Sequence, residues 1–196
     1  MKGNVLPIDN QPIAATFFGE GRWLTDFITP RELEVQKLLK DLTINEHDLR
    51  NKIINCRDWV AQELRYVVAV RAKITVEGKS SSQPDYWMPP SMAILTKVGN
   101  CAVKSFLLTS LLRNLLSENS VYCVLGNLYS GTPGGHAWTE INLDGEDFLL
   151  EATRPDVPPL IPISEVSQHY EAVHYFNDKQ IYAVPGKTQM EIVGVG

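Results

Sequence analysis

The chain has 196 residues, 44% hydrophobic and 21% charged, with a formal net charge of -5 at pH 7. That is enough for one domain with a sizeable core, and the acidic balance, with no Lys/Arg cluster, excludes an ordinary nucleic-acid-binding module. No apolar run approaches the roughly 20 residues of a membrane span, and the N-terminus lacks the apolar core of a secretory signal.

Residues 1–28 read as an arm broken by Pro7, Pro12, Gly19 and Gly21, with Phe17, Phe18, Trp23 and Phe27 laying it across the body. A single domain is expected over 29–185, followed by a tail, 186–196. Thr29-Pro30-Arg31-Glu32 has the form of a capping box with proline at the first helical position. The helix after it carries Val35, Leu38, Leu39 and Leu42 at helical spacing. A second helix is expected from Asn45, with Leu49, Ile53, Cys56, Val60 and Leu64 on one face.

Residues 67–76 are rich in β-branched side chains and suit either a strand or a further helical turn. Residues 77–84 read as a polar Gly/Ser loop, 85–90 as an aromatic-proline loop, and Ser91 as the cap of a short helix over 92–97. Gly99-Asn100 is a turn and N-cap signal. A helix apolar nearly all round then runs from Cys101 towards Leu116, the pattern of a buried central helix.

The period changes after that helix. Residues 121–128 read as a strand, 130–135 as a turn, 136–143 as a strand, Asp144-Gly145 as a hairpin tip and 148–152 as its second arm. Connections this short make the meander antiparallel. A proline-rich loop, a short helix within 164–173 and an edge strand at 180–184 complete the chain, and its last residues, 194–196, read as frayed. Helices followed by a meander make an α+β fold.

Cys101 falls at the positive end of its helix, where thiolate is favoured over thiol; burial as an inert thiol is the alternative. Cys56 and Cys123 lie on apolar stripes and read as core. Thiol catalysis also needs a base and a group that orients it. Counting outward from the hairpin tip puts His136 and Glu151 near-opposite on its two arms, within reach across the pair, since facing residues lie about 4.5–5.5 Å apart at Cβ. Gly134-Gly135 is either a flexible turn or an opening beside the imidazole for a substrate backbone. Trp138 and Glu140 share the face of His136, Trp138 as a wall and Glu140 as a solvated carboxylate. His47, His169 and His174 read as non-catalytic, and Tyr170, Tyr175 and Phe176 as packing. No Cys/His pair has zinc-ligand spacing.

Gly-Asn-Cys-Ala at 99–102, Gly-Gly-His-Ala-Trp-Thr-Glu at 134–140 and Leu-Glu-Ala-Thr at 150–153 resemble, in order, the core motifs of the transglutaminase-like cysteine protease superfamily. Asp-Tyr-Trp-Met-Pro-Pro at 85–90 resembles the tryptophan-bearing segment of its bacterial members. The resemblance implies a papain-like core with the nucleophile helix on an antiparallel sheet. It implies Cys101 as nucleophile, His136 as base and Glu151 as acid, with Asp156 as the fallback because the family's acid is usually aspartate. Gly135, Trp87 and Trp138 would line the cleft, with Trp87 either an oxyanion donor or packing.

Calcium-dependent members carry acidic residues after the cysteine. Here the sequence is Ala-Val-Lys, so no metal or other cofactor is expected, and Lys104, if near the thiol, would favour thiolate. The implied activity is amide hydrolysis of a peptide or protein through a thioester. Amine transfer, as in cross-linking, acyl transfer from a thioester donor and an idle binding module are the alternatives. No nucleic-acid or membrane partner is expected, and the oligomeric state stays open. Three scattered cysteines suit a reducing, cytoplasmic setting.

Overall fold

A computed structural model of the chain describes residues 5–8, 12–17, 20–68, 72–76, 79–83, 87–130 and 134–186. Phe18, Asp85 and Tyr86 of the expected aromatic segments, 131–133 of the expected turn and 194–196 of the expected frayed end lie outside these residues, as does the side chain of Phe17.

The chain begins with β1 (Leu6–Pro7), the hairpin β2 (Pro12–Phe17) and β3 (Glu20–Trp23), and a 3-10 turn, Leu24–Phe27. Helices α1 (Leu33–Thr43) and α2 (Leu49–Glu63) follow, then β4 (Arg65–Tyr66), the hairpin β5 (Ala72–Val76) and β6 (Lys79–Gln83), and α3 (Pro90–Thr96). β7 (Val98–Gly99) leads into α4 (Cys101–Leu112). After it come β8 (Val121–Leu128), β9 (Gly134–Leu143), β10 (Glu146–Leu150), β11 (Ile161–Pro162), α5 (Ile163–Val166), β12 (Tyr170–Phe176) and β13 (Ile181–Ala183). Seven strands form one antiparallel sheet in the order β1-β13-β12-β8-β9-β10-β11. The α+β expectation holds.

Strand alternation explains the layers. Val121, Cys123, Leu125, Ala137, Ile141, Phe148 and Leu150 belong to the two apolar clusters shared with α4. Their alternating neighbours Tyr122, Val124, Trp138 and Leu149 form a third cluster on the opposite face, with Tyr175. α4 is buried from Ala102 to Leu112, its Ser and Thr residues included, which an all-round apolar sequence requires. The β9–β10 hairpin turns through Asp144 and Gly145 at φ 55 and 86, the left-handed pair that a two-residue turn of this twist needs.

Several local expectations give way to tertiary contacts. Thr29 to Glu32 is a turn rather than a capping box: the Glu32 N–H donates to the Thr29 carbonyl at 3.2 Å. The Thr29 N–H donates to Ser110 Oγ on α4 at 2.9 Å, so α1 starts at Leu33. α2 starts after Asp48, not Asn45, because Asp48 Oδ1 accepts the Asn51 N–H at 2.9 Å. Pro89, not Ser91, precedes α3, with proline at its first position. The polar stretch after β5 supplies the pairing strand β6. α4 stops at Leu112, and Leu115 and Leu116 lie in the turn that follows.

β10 ends at Leu150, short of Ala152. The helix expected within 164–173 is only α5, and Tyr170 opens β12, paired with Leu128. Of the arm's aromatics, Phe27 is buried and Trp23 is 43% exposed.

Candidate active site

Cys101 is the first residue of α4. Its position is fixed from both sides: Asn100 caps the helix by accepting the Val103 N–H at 3.1 Å, and Gly99 pairs with Tyr66 in the parallel β4–β7 ladder. The thiol is free and half-buried, against the apolar cluster that contains Trp87, Ala102, Phe106 and Ala137. The first N–H groups of any helix lack intrahelical acceptors and point along the positive end of its dipole.

His136 stands near the start of β9. Its Nε2 lies 2.7 Å from Glu151 Oε2, and the Cys101 thiol is near enough to the ring to act on its pKa. With Nε2 engaged by the carboxylate, Nδ1 is left for the thiol. Burial alone would lower the His136 pKa. The Cys101 thiol and the Glu151 hydrogen bond, with the charges of both groups, overcome it and raise the pKa to about 9.

Glu151 is buried to 1% exposure. Burial opposes its charge, yet hydrogen bonds from His136 and Thr153 and the imidazolium charge hold its carboxyl below the usual range. Oε1 accepts from the Thr153 N–H at 2.8 Å and from Thr153 Oγ1 at 2.6 Å. Oε2 accepts from Tyr170 Oη at 3.0 Å as well as from His136. The last ladder pair is Leu150 with Thr139; continued, it would set Thr153, not Glu151, opposite His136. Glu151 is therefore a diagonal neighbour rather than a facing one. Diagonal partners lie about 7–8 Å apart, and the extra methylene of glutamate suits that reach.

The other expected residues divide. Trp138 is buried and stacks on His136, with ring centroids 6.0 Å apart at 24°. Gly135 is exposed at the start of β9, paired with Asn127. Trp87 packs edge-on against Phe27 and Phe106. Asp156 is 66% exposed and paired with Arg154, so it is not the acid of this constellation. Glu140 is not solvated: it is 4% exposed, because the face it shares with Trp138 is itself covered. Its Oε1 accepts from Trp138 Nε1 at 2.9 Å, and burial pushes its pKa up to about 7.

Lys104 does not face the thiol. Its Nζ donates to the Ala61 carbonyl at 3.0 Å inside the core, and burial lowers its pKa to about 8 despite Glu151. Cys56 and Cys123 are fully buried, and burial raises both thiol pKa values, that of Cys56 to about 12. His47 and His169 are exposed, and His174 is buried in β12.

Sequence reasoning missed three supports of Glu151: Thr153, Tyr170 and Arg57. Tyr170 reads from sequence as packing alone. Arg57, 1% exposed on α2, donates through Nε to the Glu151 carbonyl at 2.9 Å and through a terminal nitrogen to the carbonyls of Arg154 and Val157 at 2.6 and 3.0 Å. Thr153 carried a usable signal, since a hydroxyl two residues after a carboxylate can close a local hydrogen bond. Arg57 and Tyr170 carried none. Among the described residues, no group of three or more His, Cys, Asp and Glu could hold a metal ion, and residues 102–104 offer no carboxylate. No helix among them is long and apolar enough to cross a membrane.

Comparison with known proteins agrees with this architecture. Calcium-bound LapG from Legionella pneumophila is similar in structure, with a TM-score of 0.56 and 14% identity, covering 80% of this chain and 80% of that one. EGTA-treated LapG gives 0.53 and 14%, covering 77% and 74%. At this identity the likeness is one of fold. No curated protein sequence matches significantly. The profile of the transglutaminase-like domain matches residues 33–182, three-quarters of the chain and all three motif segments. The chain belongs to the transglutaminase-like domain family.

Proposed function

We propose that the protein is a thiol-dependent amide hydrolase acting on a peptide or protein. The observation that carries this is the His136 ring, bonded to Glu151 at 2.7 Å, with the Cys101 thiol at a helix start near enough to act on the ring's protonation. Glu151, held ionised, accepts a hydrogen bond from Nε2–H and fixes the tautomer, so Nδ1 takes the thiol proton. The thiolate attacks the amide carbonyl, and the Cys101 N–H at the open end of α4 faces the developing oxyanion. The imidazolium then protonates the leaving amine. A thioester remains, which water, activated by the neutral ring, hydrolyses.

In this reading Trp138 fixes the ring plane and Trp87 walls the thiol. Gly135 leaves room for a substrate backbone. A reducing, cytoplasmic setting fits a nucleophile that must stay a free thiol.

The test is mass-spectrometric detection of a thioester on Cys101 with activated acyl and peptide-amide substrates, then product analysis with and without a primary amine. Acyl-enzyme formation that is abolished in Cys101→Ala, with release as free acid even when amine is present, supports hydrolysis. Amine-dependent release would make the enzyme a transferase. No acylation of the wild type by any amide or activated ester would leave a binding module.

A further inference from the structure

Tyr170 donates to the one carboxylate oxygen that His136 uses: Tyr170 Oη lies 3.0 Å and His136 Nε2 2.7 Å from Glu151 Oε2. The phenol is held there by its surroundings. Its ring centroid is 5.2 Å from Trp138, edge to face, and 6.1 Å from His136. Its backbone is pinned by the pairing of Tyr170 with Leu128. The second oxygen, Oε1, is taken by the two Thr153 donors. Four donors therefore meet two oxygens, and two of them compete at the atom that grips the imidazole.

We propose that Tyr170 is a positioning residue that sets the strength of the His136–Glu151 pair, drawing off part of the charge on Oε2 so that the ring holds its proton less tightly. This deepens the Cys101–His136–Glu151 reading and rests on it. A general base works best when its pKa lies near the operating pH. A buried, fully ionised carboxylate with no competitor would leave the imidazole charged over too wide a range. Tyr170 sits where it can trim that effect without displacing the acid. Among the described residues, the other charged or titratable groups around the pair include Cys101 and Lys104 on α4, Arg57 on α2 and Arg154 after β10. Tyr170→Phe leaves each of these side chains in place and keeps the ring packing, removing only the hydroxyl that also neighbours Arg154.

The experiment is NMR titration of the His136 ring in the full chain, in the wild type and in Cys101→Ala, each with and without Tyr170→Phe. Removing the hydroxyl raises the His136 midpoint by about half a pH unit or more in both backgrounds, the size expected for losing one competing hydrogen bond. Thr153→Val, which removes a side-chain donor from the far oxygen only, raises it less than half as much. An unchanged or lowered midpoint in Tyr170→Phe overturns the proposal, as does an equal shift in Thr153→Val. Because the titration is also read without the thiol, it stands apart from catalysis. A wild-type Cys101 with ordinary reactivity would remove the enzyme reading and leave the Tyr170 result intact.

Discussion

Gly126 lies directly opposite His136 in the β8–β9 ladder, and it has no room for a side chain. A Cβ there would meet the Glu171 carbonyl oxygen at 2.1 Å and Trp138 Cη2 at 2.6 Å. The first clash is with the backbone of β12, which shifts register between Ala172 and His174. The second is with the indole stacked on His136. Gly126→Ala must push β12 or Trp138 aside, at about 2–3 kcal/mol for overpacking. Urea unfolding is expected to show that loss, with slower Cys101 alkylation as the imidazole loses its backing.

Arg57 ties the segment carrying Glu151 to α2. Arg57→Met keeps the apolar stem but removes the donors to the Glu151, Arg154 and Val157 carbonyls. Unpaired buried acceptors cost roughly 1–3 kcal/mol each, so a loss of at least about 3 kcal/mol is expected in denaturant unfolding. A loss below about 1 kcal/mol would show that the loop does not depend on the clamp.

The His136–Glu151 pair makes a signed pH prediction. His136 is raised to about 9, so its contribution to stability is complete below the ordinary imidazole pKa and is lost as pH rises through about 9. Glu151 is depressed, so its contribution is complete above the ordinary carboxylate pKa and is lost as pH falls through the depressed value. Glu151→Gln is therefore expected to lower the melting temperature more at about pH 6 than at about pH 10.

Glu140 behaves in the opposite sense. Its folded pKa is raised to about 7, so the native state holds a proton that the unfolded chain releases near the ordinary carboxylate pKa. Stability falls as pH rises through that interval. Glu140→Gln is expected to flatten the fall and to raise relative stability at about pH 8 over about pH 4. The charged and titratable groups near Glu140 include Tyr175, whose hydroxyl neighbours it, and Tyr122, which pairs with it across β8.

What could be read from sequence was local. Asn100 before Cys101 announced a capped helix start, and Asp144-Gly145 fixed a hairpin. Together they placed a thiol at a dipole end and set His136 and Glu151 on adjacent arms. The diagonal offset was not legible, because it depends on where the ladder stops: Glu151 leaves the strand to receive Thr153, Tyr170 and Arg57. Arg57 acts across 94 residues, and Tyr170 acts through a strand that its polar neighbours disguised as helix. Glu140 looked solvated because alternation shows that a face exists, not that another layer covers it. Thr29 and Glu32 had a cap's spacing, but Ser110 on α4 claimed the Thr29 N–H.

The most direct measurement is the rate of Cys101 alkylation by iodoacetamide at about pH 6.5, with the labelled site mapped, in the wild type and in His136→Ala. Cys56 and Cys123 are fully buried and do not compete. The account predicts that the imidazole accelerates Cys101 by about ten-fold or more over the mutant. Equal rates in the two proteins would contradict it.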